Sequence, residues 1–68
     1  MEFTVIIFFE EGDPAKYSHN IKSFPAINKL LDWVSVNLQG GDKWQRANVY
    51  DKKTGKFVIQ IKNLKYKW

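Results

Sequence analysis

At 68 residues, with no cysteine and a single histidine, the chain has material for one hydrophobic core and excludes both a disulfide framework and a structural zinc site of the Cys/His type. Its 44% hydrophobic and 16% aromatic content excludes the disordered class. The formal charge of +4 is uneven, since seven lysines and Arg46 lie between Lys43 and Trp68 with Asp51 the only carboxylate side chain among them, a bias that attracts polyanions and acidic partners.

Residues Phe3 to Phe9 are apolar except Thr4 and rich in β-branched and aromatic types, which predicts a first strand. The segment is too short to span a membrane and has no basic stretch ahead of it, so the expected location is cytoplasmic, with no membrane partner. Glu10-Glu11-Gly12-Asp13-Pro14 is dense in turn formers, and residues 10 to 22 read mostly as loop. Ser23 is the expected N-cap of a helix with Pro25 in its first turn. Phe24, Ile27, Leu30, Leu31, Val34 and Leu38 recur at helical steps to form one apolar stripe, and Gly40-Gly41 closes the helix.

Two further strands are expected at about 44–50 and 56–62. The intervening Asp51-Lys52-Lys53-Thr54-Gly55 has the Asp and Gly that a short bulged hairpin loop requires. The fold class predicted is therefore α+β: one domain over residues 1–68, of β-α-β-β order, with one helix on one face of a three-stranded, mainly antiparallel sheet. Strict alternation would turn Phe57, Ile59, Ile61, Ala47 and Val49 toward the helix and Trp44, Arg46, Asn48, Tyr50, Val58, Gln60 and Lys62 away from it.

Counting these three strands along the chain, the order 1-3-2 is expected, with the first strand at an edge. A strand apolar on both faces and open along one margin invites pairing with another element. One candidate is the tail from Asn63, where a register break predicts a bulge or a turn into a short C-terminal fourth strand, with Leu64, Tyr66 and Trp68 capping the reverse face. The other is a second chain or protein partner. The element order resembles that of small phage-encoded proteins that bind and inhibit host enzymes, a likeness of topology that assigns no residue a role. A short, cysteine-free chain rich in Lys, Asn and Ile suits such an origin.

No catalytic constellation is predicted. His19 beside Ser18 lacks an orienting partner, and Glu10, Glu11 and Asp13 lack the later ligands of a calcium loop. Gly40-Gly41-Asp42-Lys43 follows a helix, where phosphate loops precede one. The expectation is a non-enzymatic interaction protein without cofactor, metal or small-molecule ligand. It would form a homodimer or bind a protein partner through Ile6, Phe8, Trp44, Arg46, Tyr50, Tyr66 and Trp68. The alternative is a nucleic-acid-binding module using Arg46, Lys52, Lys53, Lys56, Lys62, Lys65 and Lys67 on the basic hairpin and C-terminal segment.

Overall fold

The β-branched N-terminal run forms one of the two interior strands of the sheet. A computed structural model describes residues 1–37 and 44–66. Strand β1 covers Phe3–Phe9, β2 Ala15–Tyr17, helix α1 Phe24–Asn37, β3 Trp44–Asp51 and β4 Phe57–Lys62. The four strands form one antiparallel sheet of order β2-β1-β3-β4, so the α+β class with one helix stands.

The strand order differs from 1-3-2. β1 pairs with β2 on one side and β3 on the other, with Val5 opposite both Tyr17 and Val49 and Ile7 opposite both Ala15 and Ala47. The cause is the additional strand. β2 reverses the chain before the helix, so the helical crossover runs from β2 to β3 and β1 fills the gap between those two parallel neighbours. β1 is consequently not an edge. The fourth strand lies at Ala15–Tyr17 rather than in the tail; residues 63–66 form a turn in which the Tyr66 amide donates to the Asn63 carbonyl at 3.2 Å.

Local chemistry accounts for the joints. Ser23 caps α1, its Oγ accepting from the Ala26 amide at 3.2 Å and its carbonyl from the Ile27 amide at 3.1 Å. Gly12 (φ 88°) turns the chain between β1 and β2, and Asn20 (φ 57°) takes a left-handed conformation ahead of buried Ile21. In the β3–β4 hairpin, Asp51 Oδ1 accepts from the amides of Lys53 and Thr54 at 2.8 and 3.3 Å. Gly55 (φ 76°) then donates to the Asp51 carbonyl at 2.7 Å. The closure expected at Gly40-Gly41, and Leu38 with it, lies outside the described residues.

The core is the contact of α1 with β1 and β3: Phe3, Val5, Ile7, Ala47, Val49 and Trp44 from the sheet meet Ile27, Leu31 and Val34 from the helix, with Ile21 completing it. Phe24, half exposed, packs its ring 5.4 Å from that of Phe3. Two bulges reset the alternation. Phe8 faces Arg46 but Phe9 faces Trp44, so Gln45 is the extra residue and Trp44 turns inward, against expectation. Trp44 is 4% exposed, and its Nε1 donates to Ser35 Oγ at 2.8 Å. Val49 faces Ile59 but Tyr50 faces Phe57, so Val58 is extra and Phe57 turns away from the helix rather than toward it.

Candidate interaction surfaces

Two regions of the sheet remain open. The first is β4, at the end of the sheet and without a strand on its outer side among the described residues. A helix is about 10 Å across with its side chains and strands lie about 4.8 Å apart, so one helix shields roughly two strands. α1 covers β1 and β3, so β4 is left bare, with Ile59 on the helix side, Phe57 on the outer face beside Tyr50, and Val58 at the bulge between them. Phe57, Val58 and Ile59 are 57%, 39% and 44% exposed, three consecutive large apolar side chains. Toward the other end of β4 an open groove of about 570 Å³ runs between it and α1, lined by apolar Leu31, Val36, Ile61 and Leu64 and by polar residues including Asp32 and Lys65. Val36 and Leu64 on its walls are almost wholly exposed.

The end of β4 is firmly set. Asn63 is buried; its amide donates to the Gln45 carbonyl at 2.9 Å, its Nδ2 to the Trp44 carbonyl at 2.8 Å, and its Oδ1 accepts from the Lys65 amide at 3.0 Å. The register break expected at Asn63 is thus a side chain clamping the β3 bulge. Tyr66 Oη accepts from Gln45 Nε2 at 3.0 Å and donates to Glu10 Oε1 at 3.4 Å, which ties the tail to the end of β1.

The second region is the outer face of the sheet, opposite α1. Strand register places its side chains in three rows. Lys16, Ile6, Asn48 and Gln60 form one row; Thr4, Tyr50 and Phe57 a second; Phe8, Arg46 and Lys62 a third. The Arg46 guanidinium lies 4.3 Å from the centre of the Phe8 ring, within cation–π range. Tyr50 and Phe57 meet edge to face at 5.8 Å. Asn48 Nδ2 donates to Tyr50 Oη at 3.3 Å, whereas Asn48 Oδ1 is buried with no hydrogen-bond partner. A shallow depression of about 240 Å³ lies near the hairpin end, lined by Thr4, Ile6, Lys16, Tyr50 and Lys52 among others.

The predicted site residues therefore separate. Ile6, Phe8, Arg46, Tyr50 and Lys62 share the outer face, while Trp44 leaves that set for the core. Lys52, Lys53 and Lys56 stand on the hairpin, Lys52 Nζ lying 4.0 Å from Glu2 Oε1 in an exposed pair of small energetic weight. Lys65 and Tyr66 sit in the terminal turn; Lys67 and Trp68 lie outside the described residues. Sequence reasoning missed Lys16, because β2 was read as loop, and missed the margin formed by Phe57, Val58 and Ile59.

His19 is exposed, with its ring Nε2 3.0 Å from Asn20 Nδ2. Among the described residues no cluster of three or more His, Cys, Asp or Glu forms, and no helix is long and apolar enough to cross a membrane. Comparison with protein-family models, curated proteins and solved structures finds no match for this chain.

Proposed function

We propose that this is a non-enzymatic interaction protein that works by self-association, two copies joining their sheets along β4. The observation carrying this reading is the β4 margin, where an open row of backbone groups coincides with exposed Phe57, Val58 and Ile59. Added strands gain main-chain hydrogen bonds from such a row and specificity from the side chains alternating along it.

Sequence narrows the register. About a two-fold axis, setting Ile59 opposite itself would bring Lys56 and Lys62 of the two copies face to face, which like charges disfavour. Setting Gln60 opposite itself pairs Ile59 with Ile61 on the helix side and Lys62 with Val58, and avoids that clash. In the second arrangement each groove beside α1 meets the start of the partner strand, with Ile61 packed on Ile59 and Leu64 set against the stem of Lys56.

Sedimentation velocity over a concentration series tests the proposal. The wild-type chain is expected to shift from monomer to dimer, and Ile59→Lys to remain monomeric with unchanged circular dichroism and melting temperature. A wild-type chain that stays monomeric throughout, or an Ile59→Lys chain that dimerises as well as the parent, sinks the reading.

A further inference from the structure

We propose that the outer face of the sheet binds single-stranded nucleic acid, a reading that does not rest on association at β4. Complementary charge is the first ground. The rows of this face carry Lys16 and Arg46 and no carboxylate, and Lys52 stands at the margin of its depression. The nearby carboxylates sit at the hairpin end and at the tail: Asp51 lines the depression but gives its Oδ1 to the hairpin amides, Glu2 lies 4.0 Å from Lys52 in an exposed pair, and Glu10 accepts from Tyr66, which leaves Lys16 and Arg46 as the cations of the face itself. An extended phosphate backbone crossing from Lys16 toward Arg46 meets cations along its path.

The second ground is what lies between the charges. Tyr50, half-buried, and Phe57, more than half exposed, offer ring surface in the middle row, and the Arg46 guanidinium rests 4.3 Å from the centre of the Phe8 ring. Rings and guanidinium planes on an open sheet stack unpaired bases. A duplex keeps its bases stacked inside, out of reach of a flat face, and an acidic peptide gains nothing from the rings. Single strands are therefore favoured over both.

Asn48 supplies the third ground. It stands at the centre of the face between Ile6 and Gln60, and its Oδ1 is a buried acceptor with no donor. Such an atom lowers stability, and valine at this strand position would be better on both polar and conformational grounds. Rotation of the side-chain amide, released from Tyr50 when a base stacks there, would carry this unsatisfied acceptor to the surface and to a base edge.

Fluorescence anisotropy with labelled, mixed-sequence oligonucleotides of about a dozen nucleotides provides the test. The probes are single-stranded DNA and RNA, with the same DNA as a duplex and polyglutamate as competitors. Single strands should bind. Affinity should fall about 10-fold between about 50 and 200 mM salt, as two or three phosphate contacts require. Arg46→Gln and Tyr50→Leu, both on β3, should each weaken binding about 10-fold, and Arg46→Gln, which does not touch the Phe57 ring, should do so without altering association at β4. Asn48→Val should raise the melting temperature by several degrees while weakening binding, a combination that a purely structural asparagine would not give. The proposal is overturned by any of four results: no single-strand binding at the lower salt, equal competition by duplex or polyglutamate, unchanged affinity in both β3 variants, or a melting temperature that falls in Asn48→Val.

Discussion

Replacing Val5 by lysine is expected to leave the chain unfolded, with its amide proton spectrum collapsed to coil values. Val5 is fully buried, opposite Tyr17 and Val49, beneath the helix. Its neighbours on the helix side are apolar, so a lysine ammonium there would lack a carboxylate partner, at a penalty of several kcal/mol. A core of this size rarely supplies more than about 3–5 kcal/mol in all. Thr4→Lys, one position along on the outer face, should remain folded. A further mark of the central position is hydrogen exchange: consecutive amides over residues 5–7 should be protected, because alternate groups point to β2 and β3, whereas an edge strand protects every second one. A folded Val5→Lys protein would contradict the burial of Val5, and alternating protection in β1 would contradict this sheet order.

Trp44→Ala should have an effect of similar size for a different reason. The indole fills the space between α1 and the bulged start of β3, where it is 4% exposed, and its Nε1 donates to Ser35 Oγ. Removing a buried tryptophan costs about 3–5 kcal/mol in transfer and cavity terms, the whole stability expected of so small a core. Trp33, 47% exposed on the same helix, should cost less than about 1 kcal/mol as Trp33→Ala. Urea titration followed by circular dichroism separates the two. In a chain carrying Trp33→Phe and Trp68→Phe, the remaining indole should emit at short wavelength and shift to the red on unfolding. Equal midpoints for Trp44→Ala and Trp33→Ala would place Trp44 outside the core.

Much of the architecture was legible because it is written in local chemistry. The apolar run of β1, the Ser23 cap, the helical stripe through Ile27, Leu31 and Val34 and the Asp51–Gly55 turn each follow from residue types at fixed spacing. What was not legible depends on distant partners. Ala15–Tyr17 is a strand only because β1 offers it a register, and three residues between turn formers carry no period. That omission alone misplaced β1 at an edge. The bulges at Gln45 and Val58 are likewise tertiary: strict alternation puts Trp44 outside and Phe57 inside, and packing against Ser35 and Tyr50 does the reverse. For the candidate surfaces, the grouping of Ile6, Phe8, Arg46 and Tyr50 on one face was readable from parity. The exposed margin was assigned to the wrong strand, because which strand a lone helix leaves bare depends on the sheet order.

The shortness of β2 limits the size of any assembly built by joining sheets. Open polymers need two adhesive ends, and the proposed mode of association uses one. At its opposite boundary, β2 offers only three residues, begins directly after Pro14 and turns Lys16 to the outer face, a combination that blocks the addition of further chains. If two molecules meet through β4 as proposed, the joined sheet presents a β2 border at each end among the described residues, so growth would close at a pair instead of propagating into a filament.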